Sequence, residues 1–217
     1  MMSTSYKITV GGLTPAPTPA PAIQRHNLFP TTIWQVRLPA LAGRFQEWVD
    51  TANALRAASP TPAGRTNRGG WNSTDFAVLQ QDAFADLNAA IQTRCQTAFA
   101  DMGAANLPFA LQSWINIHDR GGFNFLHMHE GTLLSGCFYL QVPPGSGDLI
   151  FRDPRPGVLH ASSKGSGANA CKEVRLRPES GLLVLFPHWL EHYVEPHESD
   201  TARIVIAFNA LAPELGV

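Results

Sequence analysis

Leu133-Leu134-Ser135-Gly136-Cys137-Phe138-Tyr139-Leu140-Gln141-Val142, closed by Pro143-Pro144-Gly145, reads as an apolar strand stopped by turn residues. Downstream, short segments of the same kind recur at 149–152, 172–176, 181–186, 192–195 and 203–210, the first of them stopped by Asp153-Pro154-Arg155-Pro156. Upstream, 109–118 alternates, Asp119-Arg120-Gly121-Gly122 supplies turn chemistry, and 123–129 alternates again. A run of about eight short antiparallel strands without internal repeat predicts a mainly β chain, a distorted barrel or jelly roll.

Toward the N-terminus the pattern changes. Phe29, Ile33, Trp34 and Val36 alternate within 27–38, which suits a short strand bounded by prolines. Leu41, Phe45, Trp48, Val49, Ala52 and Leu55 fall at helical spacing, predicting a helix over 41–58. Phe84, Leu87, Ile91, Cys95 and Phe99 do the same over 82–102, with Gly103 as the stop. Between the helices lies a Pro- and Gly-rich loop carrying Arg65, Arg68, Gly69, Gly70, Trp71, Asn72 and Ser73. The Pro/Ala/Thr stretch 11–23 cannot build a core, so 1–26 is expected to be an arm. Residues 27–217 are expected to form one domain with its barrel core at about 109–212.

Composition narrows the function classes. Lys plus Arg number 16 against 17 Asp plus Glu, and no block of like charge occurs, so binding to nucleic acid or a membrane surface through bulk charge is not expected. Cys95, Cys137 and Cys171 are an odd, widely spaced set, which points to a reducing compartment rather than a disulfide scaffold. Neither a long apolar run nor a signal-peptide pattern is read at the sequence level, and a soluble cytoplasmic protein is expected.

The chemistry sits in His127-Met128-His129 and in Pro187-His188-Trp189-Leu190-Glu191-His192. Residues i and i+2 of a strand share a face, so His127 and His129 can grip one ion, with His192 supplying a third nitrogen from a distant strand. His118, His160, His188 and His197 read as loop or rim residues. Asn116 and Asn124 lie where amides could orient a ligand, and the Gly/Ser loop 157–170 has the composition of a lid. Trp71 reads as a core anchor before a substrate wall, and Cys137 as packed.

From Trp114 to Asn209 the order of motifs is His-x-His after a glycine turn, Ser135 to Leu140, Gly147-Asp148-Leu149-Ile150-Phe151, Phe186-Pro187 before His192, and Arg203-Ile204-Val205-Ile206-Ala207-Phe208-Asn209. This order resembles the double-stranded β-helix of the Fe(II)- and 2-oxoglutarate-dependent oxygenases, in particular the prolyl-hydroxylase-like branch and its bacterial relatives. The resemblance implies a jelly-roll, cupin-like barrel with N-terminal helices packed outside. It implies Fe(II) and 2-oxoglutarate as cofactors, His127 and His192 as metal ligands, and Arg203 as the cation for the far carboxylate of 2-oxoglutarate. Arg203 stands within an apolar strand, and its planar fork suits a carboxylate. Tyr139 matches a tyrosine that touches the same carboxylate, or else is a core aromatic.

His129 departs from the pattern, because the family places a carboxylate there. Three outcomes follow: a three-histidine Fe(II) site that still uses 2-oxoglutarate, a cupin-type three-histidine dioxygenase or isomerase that does not, or Glu130 as the carboxylate after a backbone adjustment. Glu130 would face away from His129 in a regular strand. Gly121 before His127-x-His129, and Gly181 before Pro187 and His192, echo the cupin pattern without its glutamate. A non-catalytic barrel holding a metal or small ligand is the third class, and a shell closed by four protein groups would mark it. The prime substrate, small molecule or peptide, is open, and the arm and short apolar strands would suit a homodimer.

Overall fold

One strand, β3 (Ala110–His127), stands where two strands and a turn were expected around residues 119–122. The backbone groups that would close the turn are taken elsewhere: the Gly121 N–H donates to the His197 carbonyl at 2.6 Å, and the His197 N–H donates to the Gly122 carbonyl at 2.9 Å. Gly121, at φ +82, lets the strand bend and continue instead of reversing. The structure, a computed structural model, describes residue 26 and residues 28–160 and 171–211. The chain divides into a short unit, 1–31, and a unit spanning 32–217, to which everything below refers. Apart from His26 the expected arm lies outside the described residues.

Before β3 come β1 (Trp34–Arg37), a 3-10 turn running into helix α1 (Phe45–Ala58), β2 (Asn67–Asn72) and helix α2 (Ala85–Asp101), itself entered through a 3-10 turn at Asp82–Phe84. After it follow β4 (Leu134–Gln141), β5 (Leu149–Arg152), the short α3 (Pro156–His160), β6 (Glu173–Leu176), β7 (Leu182–Pro187), β8 (His192–Val194) and β9 (Arg203–Leu211). The pairing order is β1-β7-β4-β9-β3-β8-β5-β6, with β2 on the other edge of β3. All named strand pairs are antiparallel. The first half of β3 pairs with β9 and its last residues pair with β8, so this strand joins the two halves of a double-stranded β-helix.

Strand parity explains why β4, β7 and β9 looked apolar throughout. On β9, Ile204, Ile206, Phe208 and Ala210 pack toward the helices with Trp48, Phe84, Leu87, Ile91 and Phe99, all essentially buried. The alternate residues Arg203, Val205, Ala207 and Asn209 line an interior cavity. Val184, Phe186, Leu149 and Phe151 form a second apolar cluster on that inner side. One face is therefore covered by helices and the other by the opposing half of the barrel. Among the described residues no helix is long and apolar enough to cross a membrane.

The segment expected as a Gly-rich loop is strand β2. Its glycines carry the reason: Gly69 has φ +64, and a Cβ on Gly70 would lie 2.2 Å from the Ile117 carbonyl oxygen. Only a bare backbone can lie this close to β3, so Gly70→Ala should cost about 1–3 kcal/mol, read as a lower denaturation midpoint. An unchanged midpoint would mean that β2 moves away freely. Trp71 is a core residue, 2 % exposed, with its Nε1–H donating to the Ser59 carbonyl at 2.7 Å, and it is not part of the cavity wall. Of the expected lid, 157–160 fall in α3 and 161–170 lie outside the described residues.

Candidate metal centre

His127 and His192 are direct cross-strand partners of β3 and β8, and their ring centroids are 4.3 Å apart. His129 lies two residues past His127, just beyond the strand end. It is held there by a reciprocal pair: its N–H donates to the His188 carbonyl at 2.9 Å, and His188 Nδ1 pairs with the His129 carbonyl at 3.0 Å. The His129 ring lies parallel to that of His192, centroids 5.2 Å apart, and stacks on Trp114 at 5.9 Å. The three candidate ligand nitrogens all lie within 4.8 Å of one another.

Hydrogen bonding orients the rings. His127 Nδ1 pairs with the Phe125 carbonyl at 2.7 Å and His192 Nδ1 with the Leu190 carbonyl at 2.9 Å. A carbonyl only accepts, so each Nδ1 carries the proton and each Nε2 keeps a lone pair free for a metal. Asn209 accepts the Ser135 hydroxyl at 2.8 Å and lines the same cavity as His129. Burial lowers the pKa of all three imidazoles, to about 4 for His129 and well below the usual value for His192. They are thus neutral imidazoles at pH 7, the form that a metal would need. Glu130 is exposed at the cavity wall and is not one of the cluster.

Arg203 occupies the same cavity of about 400 Å³. The β3–β9 register sets it directly opposite His118, and its Nη1–H donates to His118 Nδ1 at 3.0 Å. Tyr139, opposite Val205 on β4, brings its ring to 5.2 Å from the guanidinium. Arg203 is 2 % exposed, yet its Nε and the Tyr139 hydroxyl are buried without a partner, and no carboxylate pairs with it among the described residues. A buried cation in that state calls for an anion.

His118 was expected at the rim and is instead fully buried, because the strand does not end at residue 118. His197 is also buried, its Nε2 paired with the Thr201 carbonyl at 2.7 Å, and His188 holds the His129 backbone. His160 ends α3 and is not one of the cluster. Asn116 and Asn124 both line the cavity, and Asn124 donates to Thr66 Oγ1 at 3.0 Å. Cys137 lines it too, rather than merely packing. The signal for His118 was present in the alternation: it shares parity with Trp114 and Asn116.

Burial, then the Arg203 charge, push His118 down to about 3. A histidine depressed in the folded state leaves stability intact above the unfolded value near 6.5 and takes it away as pH falls toward the folded value. Between pH 6.5 and 5 His118 alone should remove about 2 kcal/mol from the metal-free protein. Denaturation midpoints at the two pH values test this in wild type and His118→Gln, and identical slopes would refute it.

Three imidazoles suit a divalent first-row metal, and the orphaned Arg203 and Tyr139 atoms suit an organic anion beside it, so the residues accommodate Fe(II) and 2-oxoglutarate. Comparison with known proteins points the same way. Residues 112–209 match the family model described as "Putative 2OG-Fe(II) oxygenase". A Pseudomonas putida prolyl-4-hydroxylase shares the fold at TM-score 0.60 and 19 % identity, covering 83 % of this chain and 92 % of that one. A Trichoplax adhaerens prolyl hydroxylase, solved with a hypoxia inducible factor peptide fragment, gives 0.61 at 13 % identity, covering 83 % of each chain. HygX of Streptomyces hygroscopicus, with nickel and 2-oxoglutarate bound, gives 0.54 at 14 % identity over 85 % of this chain and 84 % of that one. No curated protein matches the sequence. The matched segment and the fold are those of the 2OG-Fe(II) oxygenases, with Fe(II) and 2-oxoglutarate as the cofactors of that family, as the sequence resemblance implied.

Proposed function

We propose that this chain, of 2-oxoglutarate- and Fe(II)-dependent oxygenase type by segment match and fold, hydroxylates a small-molecule or peptide substrate at a site built on His127, His129, His192 and Arg203. The observation that carries the reading is Arg203: a buried cation without a carboxylate, in the same cavity as three neutral imidazoles. When bound, Fe(II) and 2-oxoglutarate supply the oxidant, converting O2, 2-oxoglutarate and a C–H group into succinate, CO2 and an alcohol.

The chain's own contribution is orientation and exclusion of water. His127, His129 and His192 present nitrogen lone pairs from two strands and one tight turn, and the carbonyl partners of His127 and His192 keep those rings from rotating. Arg203 offers its fork to the far carboxylate, with the Tyr139 hydroxyl as a second donor, while His118 braces the guanidinium from behind. Val205, Ala207, Leu149, Phe186 and Val194 give the cavity dry walls, which strengthen each of these polar contacts. The three-imidazole set by itself also suits a cupin-type enzyme that does not use 2-oxoglutarate, but that reading leaves Arg203 unpaired. Aerobic incubation with Fe(II) and 2-oxoglutarate should yield succinate even without substrate, and 2-oxoglutarate should raise the melting temperature of the metal-loaded protein. Absence of both effects would refute the proposal.

A further inference from the structure

A second unpaired cation stands in the wall of the same cavity. Arg65 sits in the turn leading into β2 with φ +38, a left-handed conformation that an arginine adopts only when its surroundings impose it. Arg68 fastens that turn, donating to the carbonyls of Arg65 at 2.9 Å and Asn67 at 2.7 Å. The Arg65 guanidinium lies 3.9 Å over the Phe76 ring and 5.4 Å from that of Trp114, the two rings meeting edge to face at 6.2 Å. Partial burial lowers its pKa, yet among the described residues no carboxylate pairs with it. Asn67, also in the cavity wall and 5 % exposed, has both its amide oxygen and its amide nitrogen buried without a partner. Trp114, which flanks Arg65, stacks on His129, so this polar pair is one aromatic ring away from the metal cluster.

We infer that Arg65 and Asn67, walled by Phe76 and Trp114, form the subsite that takes an oxyanion, carboxylate or phosphate, of the prime substrate beside His129. The word substrate rests on the oxygenase reading; the anion site does not. A guanidinium and an amide N–H₂ are matched donors for such a group, and aromatic walls hold the cation while keeping water out. The Asn67 amide nitrogen, buried and without a partner, would gain an acceptor once its amide turns into the cavity as the anion enters. Arg203 would hold the cosubstrate at the same time, so the two cations divide two anions between them.

The test uses the full chain loaded with redox-inert Zn(II) and saturating 2-oxoglutarate, which fills the Arg203 end. Hippurate, phenyl phosphate and the neutral hippuramide are then titrated by saturation-transfer NMR. At least one anion should bind at least about 10-fold more tightly than hippuramide, and which anion wins separates a carboxylate from a phosphate site. Arg65→Gln should weaken that binding about 10-fold or more, with Arg65→Lys in between. Equal binding to wild type and Arg65→Gln, equal binding of hippuramide, or no anion binding at all would overturn the inference. The 2-oxoglutarate affinity is measured beforehand in the same samples. Its absence would count against the oxygenase reading alone, since the Arg65 dependence of anion binding is read independently of it.

Discussion

Arg203→Met should raise the 2-oxoglutarate concentration for half-maximal succinate formation by roughly 30- to 4000-fold while leaving the cofactor-free protein at least as stable as wild type. The two halves of this expectation have one cause. Truncating one member of a buried charge pair typically costs 2–5 kcal/mol of binding, which sets the fold-change. In the cofactor-free protein, however, the guanidinium is 2 % exposed with one neutral hydrogen-bond partner, His118 Nδ1, and a buried Nε that has none. Such a cation is a desolvation penalty, and an apolar side chain of similar reach removes it. Methionine also packs well against the Tyr139 ring that now faces the cation at 5.2 Å. Succinate formation against 2-oxoglutarate concentration, with a denaturation curve of each cofactor-free protein, reads both halves. An unchanged half-saturation would remove Arg203 from the cosubstrate site. A sharp loss of stability would mean that its role is structural.

The parts of this arrangement that were legible in the sequence are those that obey strand parity. His127 at the end of β3, Arg203 inside Ile204 to Phe208, and the apolar runs at 133–142 and 181–186 all reported a buried sheet with one cavity-lining face, whereas His129 lies past the strand end and is placed by His188 and not by parity. Helices α1 and α2 were legible because their apolar stripes face only one way, whereas the short α3 falls in what read as a loop. What stayed hidden depends on contacts between distant segments. Gly121 and Gly122 look like a turn locally, and only the hydrogen bonds from residue 197 turn them into a bend within β3. Gly69 and Gly70 look like a loop until the backbone of Ile117 is seen 2.2 Å from a would-be Cβ. His118 and His188 follow from the same cause: each acts through a partner some 60 to 85 residues away, which no local pattern encodes.

His192→Ala should lower the affinity for a divalent metal by at least about 100-fold and bring 2-oxoglutarate-dependent succinate formation to background. The lower bound comes from the 10–100-fold that loss of a mere outer-shell partner costs, and His192 is a candidate ligand itself. Its position leaves no substitute. It is the cross-strand partner of His127, its Nε2 is 3.4 Å from that of His129, and the cluster contains no carboxylate that could replace it. The neighbours around the vacated space are Phe151 and Phe186, ring centroids 6.2 and 4.6 Å from the imidazole, which offer no lone pair. Two imidazoles would remain on a single short stretch, 127–129, and a ferrous ion held by two neutral nitrogens exchanges readily with water. Titration with Co(II), whose visible spectrum reports nitrogen coordination, separates metal loss from any loss of 2-oxoglutarate binding at Arg203. If the variant bound Co(II) as tightly as wild type, the ion would have to sit elsewhere, and the three-histidine centre would be a hydrogen-bonded cluster without a metal role. If Co(II) were lost while the fold and the Arg203 end survived, the metal assignment would rest on His192 by its own measurement and not on the family's example.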